Sequence, residues 1–224
     1  MRSIQMVYDY RYMAVAARHR QMLAGAEDSR RAGPGRSRRP RPGRRSARRS
    51  ADHGLPAVLR DGSQVLIRPV GPADVPVLAD GFARLSARSR QLRFLGPKKQ
   101  LTPAELRYLT EIDHHDHEAL GAVDPASGLG VGVARYVRSF EDAQAAEIAV
   151  TVVDEWQRRG LGTELLAQLA QRARAEGIRR FTALVGADNV AMTALVRTTG
   201  AALVRREAAT LVYEIPLLRQ EGPS

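Results

Sequence analysis

Two glycines stand at the start of an amphipathic helix, directly after an apolar segment that is typical of a strand. They are Gly160 and Gly162 in the stretch DEWQRRGLGTELL, which runs from Asp154 to Leu166. Glycine lets the backbone approach a ligand closely, and the first N–H groups of a helix lack partners within it. Because the helix dipole is positive at this end, the junction can cradle a pyrophosphate. The alternative is a tight turn whose glycines serve packing alone.

Two familiar nucleotide-binding motifs do not fit this junction. The dinucleotide fingerprint requires a third glycine, which the sequence lacks at Leu165, and a parallel sheet. The segments before the glycines look instead like antiparallel hairpins. A Walker loop requires Gly-Lys-Ser/Thr, and this tripeptide does not occur in the sequence.

The order of the predicted elements indicates an α/β domain with a mixed, mostly antiparallel central sheet flanked by helices. Alternating or β-branched segments predict strands at 63–70, 119–123, 130–137, 145–153 and 178–185, and two more within 202–215. Apolar stripes at helical spacing, with capping residues and terminal glycines, predict helices at 71–85, 86–96, 102–112, 160–176 and 189–200.

The positive charge is concentrated in the N-terminal quarter of the chain. The formal net charge is +11, but residues 1–54 hold 14 Arg against 4 acidic residues, while residues 55–224 are nearly neutral. Residues 30–50 consist almost entirely of Arg, Pro, Gly, Ser and Ala, a composition that predicts disorder. We therefore divide the chain into a basic, largely disordered segment, 1–54, and a folded domain, 55–224. The basic segment could contact nucleic acid, but a merely solvated tail is the favoured interpretation.

The absence of cysteine excludes disulfides, thiolate metal ligands and a cysteine nucleophile. No apolar run is long enough to span a membrane. The N-terminus also lacks the apolar core and cleavage site of a secretory signal. We expect a cytoplasmic protein that makes no membrane contact.

The region around the glycines resembles the signature of the GNAT superfamily of N-acetyltransferases. Gln157, Gly160 and Gly162 match its acyl-CoA loop, Gln/Arg-x-x-Gly-x-Gly/Ala, and ADNVAMTALVRTTGA is similar to its second characteristic helix. The resemblance extends from about Gln64 to Leu217. Within the superfamily, the segment LSARSRQLRFLGPKKQLTPAELRYLTEIDHHDHEALGAV is similar to the acetyltransferase domains of bacterial Pat-like protein lysine acetyltransferases.

The resemblance implies acetyl-CoA as the co-substrate and assigns residues to it. The backbone groups of Val152 and Val153 are expected to run beside the pantetheine arm, and the Val153 N–H to face the thioester carbonyl. Amides of residues 158–163 and the Thr163 hydroxyl are candidates for binding the phosphates. The full predicted cofactor set is Val152, Val153, Gln157, Arg158, Arg159, Gly160, Leu161, Gly162, Thr163, Asn189 and Met192.

Glu147 is the predicted general base. It interrupts the apolar segment AAEIAVTVV, and a carboxylate among apolar neighbours tends to have a raised pKa. It also matches the strand glutamate that commonly serves as base in GNAT lysine acetyltransferases. Strand alternation also allows the other interpretation, an exposed residue on the solvent face.

The cluster DHHDHE, residues 113–118, could suggest a metal site. Its histidines are adjacent or two apart and would point in different directions, so we predict no metal. We favour a loop that lines the acceptor entrance, in which Asp113 or His117 could assist proton movement. The cationic segment 84–99 is expected to flank the acceptor groove, where it steers an acidic protein surface or is simply solvated.

One position departs from the superfamily pattern. Many members carry a tyrosine seven residues after the asparagine, as acid for the departing thiolate, and here that residue is Val196. Another donor or water would protonate the thiol, or the thiolate would leave as such. The expected activity is acetyl transfer to a protein lysine by direct attack in a ternary complex. The alternatives are acetylation of a small amine, or a non-catalytic acyl-CoA sensor with a nucleic-acid-binding tail.

Overall fold

The computed structural model describes residues 54–217. The predicted disorder of the N-terminal segment lies outside these residues, and the division of the chain at residue 54 stays a prediction. The strands are β1 (Leu55–Val58), β2 (Gln64–Pro69), β3 (His117–Val123), β4 (Gly130–Arg138), β5 (Ala145–Val152), β6 (Arg180–Gly186), β7 (Ala202–Glu207) and β8 (Thr210–Pro216). The helices are α1 (Val75–Ala83), α2 (Ala87–Phe94), α3 (Pro103–Thr110), α4 (Leu161–Ala175) and α5 (Val190–Arg197).

The eight strands of the described region form one mixed sheet in the order β1-β2-β3-β4-β5-β6-β8-β7. Its one parallel pair is β5 with β6, and every other neighbouring pair is antiparallel. The parallel pair requires a crossover, which α4 provides. This confirms the predicted α/β class and the mostly antiparallel sheet.

Local sequence explains where the helices begin. Thr102 caps α3: its hydroxyl accepts a hydrogen bond from the Glu105 N–H at 3.2 Å, and the Glu105 carboxylate accepts from the Thr102 N–H at 2.8 Å. Pro103 follows at the first helical position, where a missing N–H does no harm. The Ser86 hydroxyl caps α2 by accepting a hydrogen bond from the Ser89 N–H at 3.1 Å, without the reciprocal bond.

One side of the core lies between the sheet and α4, and the other includes Phe82 and Leu85 at the end of α1. Leu161, Leu165 and Leu169 recur every four residues on α4, and each is at most 1% exposed. They pack with Tyr136 and Phe181 in one buried cluster. Within residues 54–217, no helix is both long and apolar enough to cross a membrane.

Strand β1 was not predicted. Its residues Leu55–Val58 pair in antiparallel fashion with β2 and are mostly exposed, as expected of a short edge strand. A four-residue strand that contains a proline carries little alternation, so the sequence alone offered only a weak signal.

An ion pair near the start of α1 gives the first prediction. Arg68 Nη1 donates to Asp74 Oδ2 at 2.8 Å, and the Gly71 N–H donates to the same oxygen at 2.9 Å. Burial alone would raise the pKa of Asp74, but these hydrogen bonds lower it overall. The stabilisation that ionised Asp74 contributes to the fold is therefore fully present above the pKa of an unfolded aspartate. It is lost as pH falls through the lower pKa of Asp74 in the folded protein.

Asp74→Asn is expected to lower the free energy of unfolding at pH 7 by about 3 kcal/mol, because it leaves a partly buried arginine unpaired. The difference from wild type should shrink as pH falls below about 4, where wild-type Asp74 also becomes neutral. Urea unfolding at several pH values measures this difference. The matched control is Asp80→Asn, which removes an exposed partner of Arg84 and should cost at most about 0.5 kcal/mol. A pH-independent loss would contradict the prediction.

Candidate active site

A cleft opens in the middle of the sheet where its parallel pair diverges. The register of β5 with β6 covers only Ala145–Ile148 opposite Arg180–Ala183. Beyond this point β5 continues to pair with β4, and β6 with β8. The C-terminal halves of β5 and β6 therefore border a gap, and the loop before α4 lies at its mouth.

The hydrogen-bond direction in β5 decides which backbone groups face this gap. The Val153 N–H donates to the Val131 carbonyl at 3.0 Å, and the Ser139 N–H donates to the Ala145 carbonyl at 2.8 Å. The odd-numbered residues of β5 thus bond to β4, and the N–H and C=O groups of Val150 and Val152 point to the opposite edge. The expectation that the Val153 N–H faces the thioester is therefore wrong, because that N–H is engaged within the sheet.

The loop before α4 requires its glycine. Gly160 is the N-cap of α4 with φ of +91°, a conformation that L side chains rarely adopt. A Cβ here would also lie 3.1 Å from Arg60 Cγ. The Arg60 N–H donates to the Arg159 carbonyl at 3.1 Å, so the β1–β2 hairpin holds the loop from one side. Gly160 thus allows close packing of the loop against Arg60. This packing places the N-terminus of α4 at the cleft.

The predicted cofactor residues of the loop differ in what they offer. The Leu161 side chain is buried in the core, so only its backbone can meet a ligand. The Arg159 guanidinium stacks over Trp156 at 4.9 Å and donates to the Ser63 hydroxyl at 3.2 Å, which directs it to the β1–β2 hairpin. Arg158 is exposed with φ of +61°. Thr163 is half-buried in the first turn of α4.

The Gln157 side chain folds back onto the cleft edge. Its Nε2 donates to the Val152 carbonyl at 3.1 Å and to the Ser89 hydroxyl at 3.3 Å. Asp154 Oδ1 accepts from the Ser86 and Ser89 hydroxyls at 2.9 and 2.7 Å. Slight burial alone would raise the pKa of Asp154, but these hydrogen bonds lower it overall. The start of α2 is therefore fastened to the loop, a connection that the sequence did not reveal.

Asn189 and Met192 meet at the start of α5, on the β6 side of the cleft. Asn189 is the N-cap, and its Oδ1 accepts from the Met192 N–H at 3.0 Å. This capping bond explains why an asparagine suits the position. Val196, on the same helix, is fully buried in the core and presents only an apolar side chain.

Glu147 lies on the sheet face opposite α4. A Cβ on Gly162 of α4 would lie 3.9 Å from both Val150 and Val152, so the even-numbered side chains of β5 face α4 and the odd-numbered ones face away. Glu147 is exposed there, in the next-to-last rung before the strands diverge. The premise that apolar neighbours bury it is wrong, while its exposure makes it accessible to an acceptor. Its role as base stays a prediction.

The same face carries a cavity beneath α1, α2 and α3. Thr151, Val153 and Arg135 contribute to its wall. Arg135 is 4% exposed and donates to the Leu109 carbonyl at 3.3 Å. The sequence analysis did not identify Arg135 as a candidate site residue. A single charged residue within an apolar strand, here GVGVARYV, is the same signal that identified Glu147 on the next strand.

The residues of DHHDHE make structural contacts on two sides of the sheet. Asp113 Oδ1 accepts from three backbone N–H groups and closes the turn before β3. The His114 Nδ1 lies 2.8 Å from Glu118 Oε1, and this hydrogen bond raises the pKa of His114. The His117 Nε2 lies 3.1 Å from Arg135 Nη1. Among residues 54–217, no three His, Asp or Glu side chains are arranged to hold a metal ion.

The cations of segment 84–99 are largely engaged by neighbours. Arg88 forms an ion pair with Asp188 at 2.7 Å, Lys98 pairs with Glu105, and Arg93 stacks on Phe94 at 5.0 Å. These contacts bring α2 close to the start of α5 across the cleft. The ion pairs reduce the positive electrostatic field of the segment. The acidic partners lie outside the segment, because residues 84–99 include no Asp or Glu.

Comparison with known proteins identifies the family of the chain. The family model described as "Acetyltransferase (GNAT) family" matches residues 88–201. The acetyltransferase Pat of Mycolicibacterium smegmatis is 35% identical over 72% of this chain and 48% of its own length. The acetyltransferase PA5475 of Pseudomonas aeruginosa is 36% identical over 66% of this chain and 80% of its own length.

A solved structure shares the fold as well as the sequence. The crystal structure of the GNAT domain of S. lividans PAT is 30% identical, with a TM-score of 0.69, and covers 73% of this chain and 96% of that one. Our chain spans about half the length of the M. smegmatis relative, so similarity to that protein concerns only part of it. The family match, the two relatives and the shared fold together show that this chain belongs to the GNAT family of acetyltransferases.

Proposed function

We propose that this acetyltransferase transfers the acetyl group of acetyl-CoA to the side-chain amine of a protein lysine. The observation that carries the proposal is the position of Glu147, exposed on the sheet face away from α4 and next to the end of the β5–β6 pairing. A carboxylate there is accessible to an amine that approaches from solvent. Similarity to Pat supports a protein acceptor.

The cofactor would bind along the cleft edge of β5. Val152 offers its backbone N–H and C=O groups to the amides of the pantetheine arm, and the amides at the start of α4 suit the pyrophosphate of the cofactor. The Gln157 amide must leave the Val152 carbonyl if the arm is to bond there. Acetyl-CoA supplies an activated thioester, and the protein supplies its orientation.

The reaction would proceed by direct attack in the ternary complex. The lysine must first lose a proton, because its ordinary pKa of about 10.4 leaves it charged at neutral pH. Glu147 accepts this proton, directly or through water. The neutral amine nitrogen then forms a bond to the carbonyl carbon, the C–S bond breaks, and CoA departs as a thiolate. The nitrogen gives its second proton to water, which can pass it to the thiolate. The Val150 N–H is the proposed donor to the oxyanion.

A small cationic amine is the second candidate acceptor, but the surface charge does not favour it. Such a substrate would suit a closed, acidic groove, whereas segment 84–99 has six Lys and Arg and no acidic residue. All six residues of β7, in the hairpin opposite, are exposed. Ion pairs with Asp80, Asp188 and Glu105 neutralise three of these six cations, so the open surface keeps a net positive charge that suits an acidic protein better. A cytoplasmic location, where acetyl-CoA is available, is part of the proposal.

The test supplies the full-length protein with labelled acetyl-CoA and a whole-cell extract. We expect label on specific protein lysines, identified by mass spectrometry, and its loss in Glu147→Gln. The matched control is Glu141→Gln, an exposed glutamate just before the same strand. Label in small amines alone would overturn the protein acceptor. Tight acetyl-CoA binding without any transfer would favour the sensor.

A further inference from the structure

The cavity beneath α1 and α2 begins at the C-terminal end of β5 and runs across the sheet into the domain. At one end it is lined by Thr151 and Val153, which flank Val152 on β5. It passes over β4 and β3 and ends at Val70, just after β2. Three strand spacings of about 4.8 Å make its length about 14 Å, far more than an acetyl group occupies.

The wall of the cavity is apolar along most of its length. Leu78, Phe82 and Phe94 line it from the helices, and Val133 from the sheet. The charged residues in the wall already have contacts within the protein, and that of Arg93 is a stack on the Phe94 ring at 5.0 Å. Arg68 is bound to Asp74, and Arg135 donates to the Leu109 carbonyl. An apolar ligand can therefore enter without leaving these charges newly unpaired.

Gly81 keeps this space open from the helix side. It lies inside α1 and lines the cavity, and a Cβ there would meet nothing closer than the Gly130 carbonyl at 3.7 Å. Packing does not require a glycine at this position, and glycine is unfavourable within a helix. The missing side chain thus enlarges a cavity that alanine or leucine would narrow.

We propose that this cavity binds the acyl chain of the donor, so that the enzyme accepts acyl-CoA thioesters with linear chains of about six to ten carbons. The inference rests on the proposed function for the position of acyl-CoA in the cleft. A thioester held at Val150 would pass its chain between β5 and β6 to the face that carries Thr151. Glu147 lies on the same face, three residues or about 10 Å further along β5. The acceptor amine would reach the thioester carbonyl from the Glu147 side, while the acyl chain extends in the opposite direction into the cavity.

The test compares acetyl-, hexanoyl- and octanoyl-CoA on the full-length protein without an acceptor. Calorimetric titration measures the affinities of wild type, Gly81→Ala, Gly81→Leu and the control Ala83→Leu. Ala83 lies on the same helix, is exposed, and does not line the cavity. We expect octanoyl-CoA to bind wild type at least about tenfold tighter than acetyl-CoA, because each buried methylene contributes about fourfold.

The ratio of octanoyl- to acetyl-CoA affinity should fall in Gly81→Ala and approach one in Gly81→Leu, but stay high in Ala83→Leu. Gly81→Ala adds only one methyl group, and alanine is favourable within a helix, so this variant is expected to fold. It therefore keeps the test valid if Gly81→Leu fails to fold. A ratio near one in wild type, or an equal fall in Ala83→Leu, would overturn the acyl cavity. If even acetyl-CoA fails to bind, the proposed function itself fails.

Discussion

Glu147→Gln is expected to lower kcat/KM for the acceptor by about 10²–10⁴-fold, because a positioned general base contributes about that much. Glutamine preserves the size and exposure of the side chain but cannot take the lysine proton. The remaining activity should rise steeply with pH, since only amine that is already neutral can attack. Initial rates over pH 6–10 with saturating acetyl-CoA measure both effects.

Two further measurements separate loss of the base from damage to the cofactor site. Acetyl-CoA affinity is titrated in the same variant, and Glu141→Gln is assayed as a matched loss of an exposed negative charge near β5. Glu141 lies in the turn between β4 and β5, away from the divergence of the strands. Wild-type rates in Glu147→Gln would exclude Glu147 as base and direct attention to other groups on the same face.

Gly160→Ala is expected to weaken acetyl-CoA binding by roughly ten- to a hundredfold. A side chain at φ of +91° forces the loop to shift, and the shift misdirects amides that would donate to phosphate. One hydrogen bond to a charged group contributes about 1.5–3 kcal/mol, which corresponds to this range. Calorimetric titration of acetyl-CoA is the measurement.

The other end of α4 offers a control for Gly160. Gly177 also has positive φ, at +80°, and a Cβ there would meet nothing within 4 Å. Gly177→Ala should therefore lose about 1–2 kcal/mol of stability through backbone strain while acetyl-CoA affinity remains intact. Equal affinity losses in the two variants would show that strain on α4 as a whole, rather than the loop geometry, controls binding.

The features that sequence predicted well were local ones. The Thr102–Glu105 capping box and Pro103 fix the start of α3. The spacing of Leu161, Leu165 and Leu169 identifies the buried face of α4. Each depends on residues within one or two turns, so neighbouring side chains alone determine it.

The details that sequence missed depend on strand register. Whether the Val153 N–H faces β4 or the cleft follows from which residue of β4 lies opposite, and here Val131 accepts its hydrogen bond. A shift of one residue would reverse the answer. The exposure of Glu147 likewise depends on how α2 and α3 cover the sheet. Apolar neighbours in sequence do not reveal such coverage, because they lie on alternate faces of the strand.

The divergence of β5 from β6 gives the molecule a sheet edge in its interior. Ordinary edges lie at the rim, where a strand from another chain can add to them. Here the strands on both sides, the loop before α4 and the start of α5 surround the edge. Under the proposed function, the ligand at this edge is slender and linear and carries amide groups along its length, as the pantetheine arm does. The sheet would then bind the arm as it would bind one more strand, through backbone N–H and C=O groups rather than through side chains.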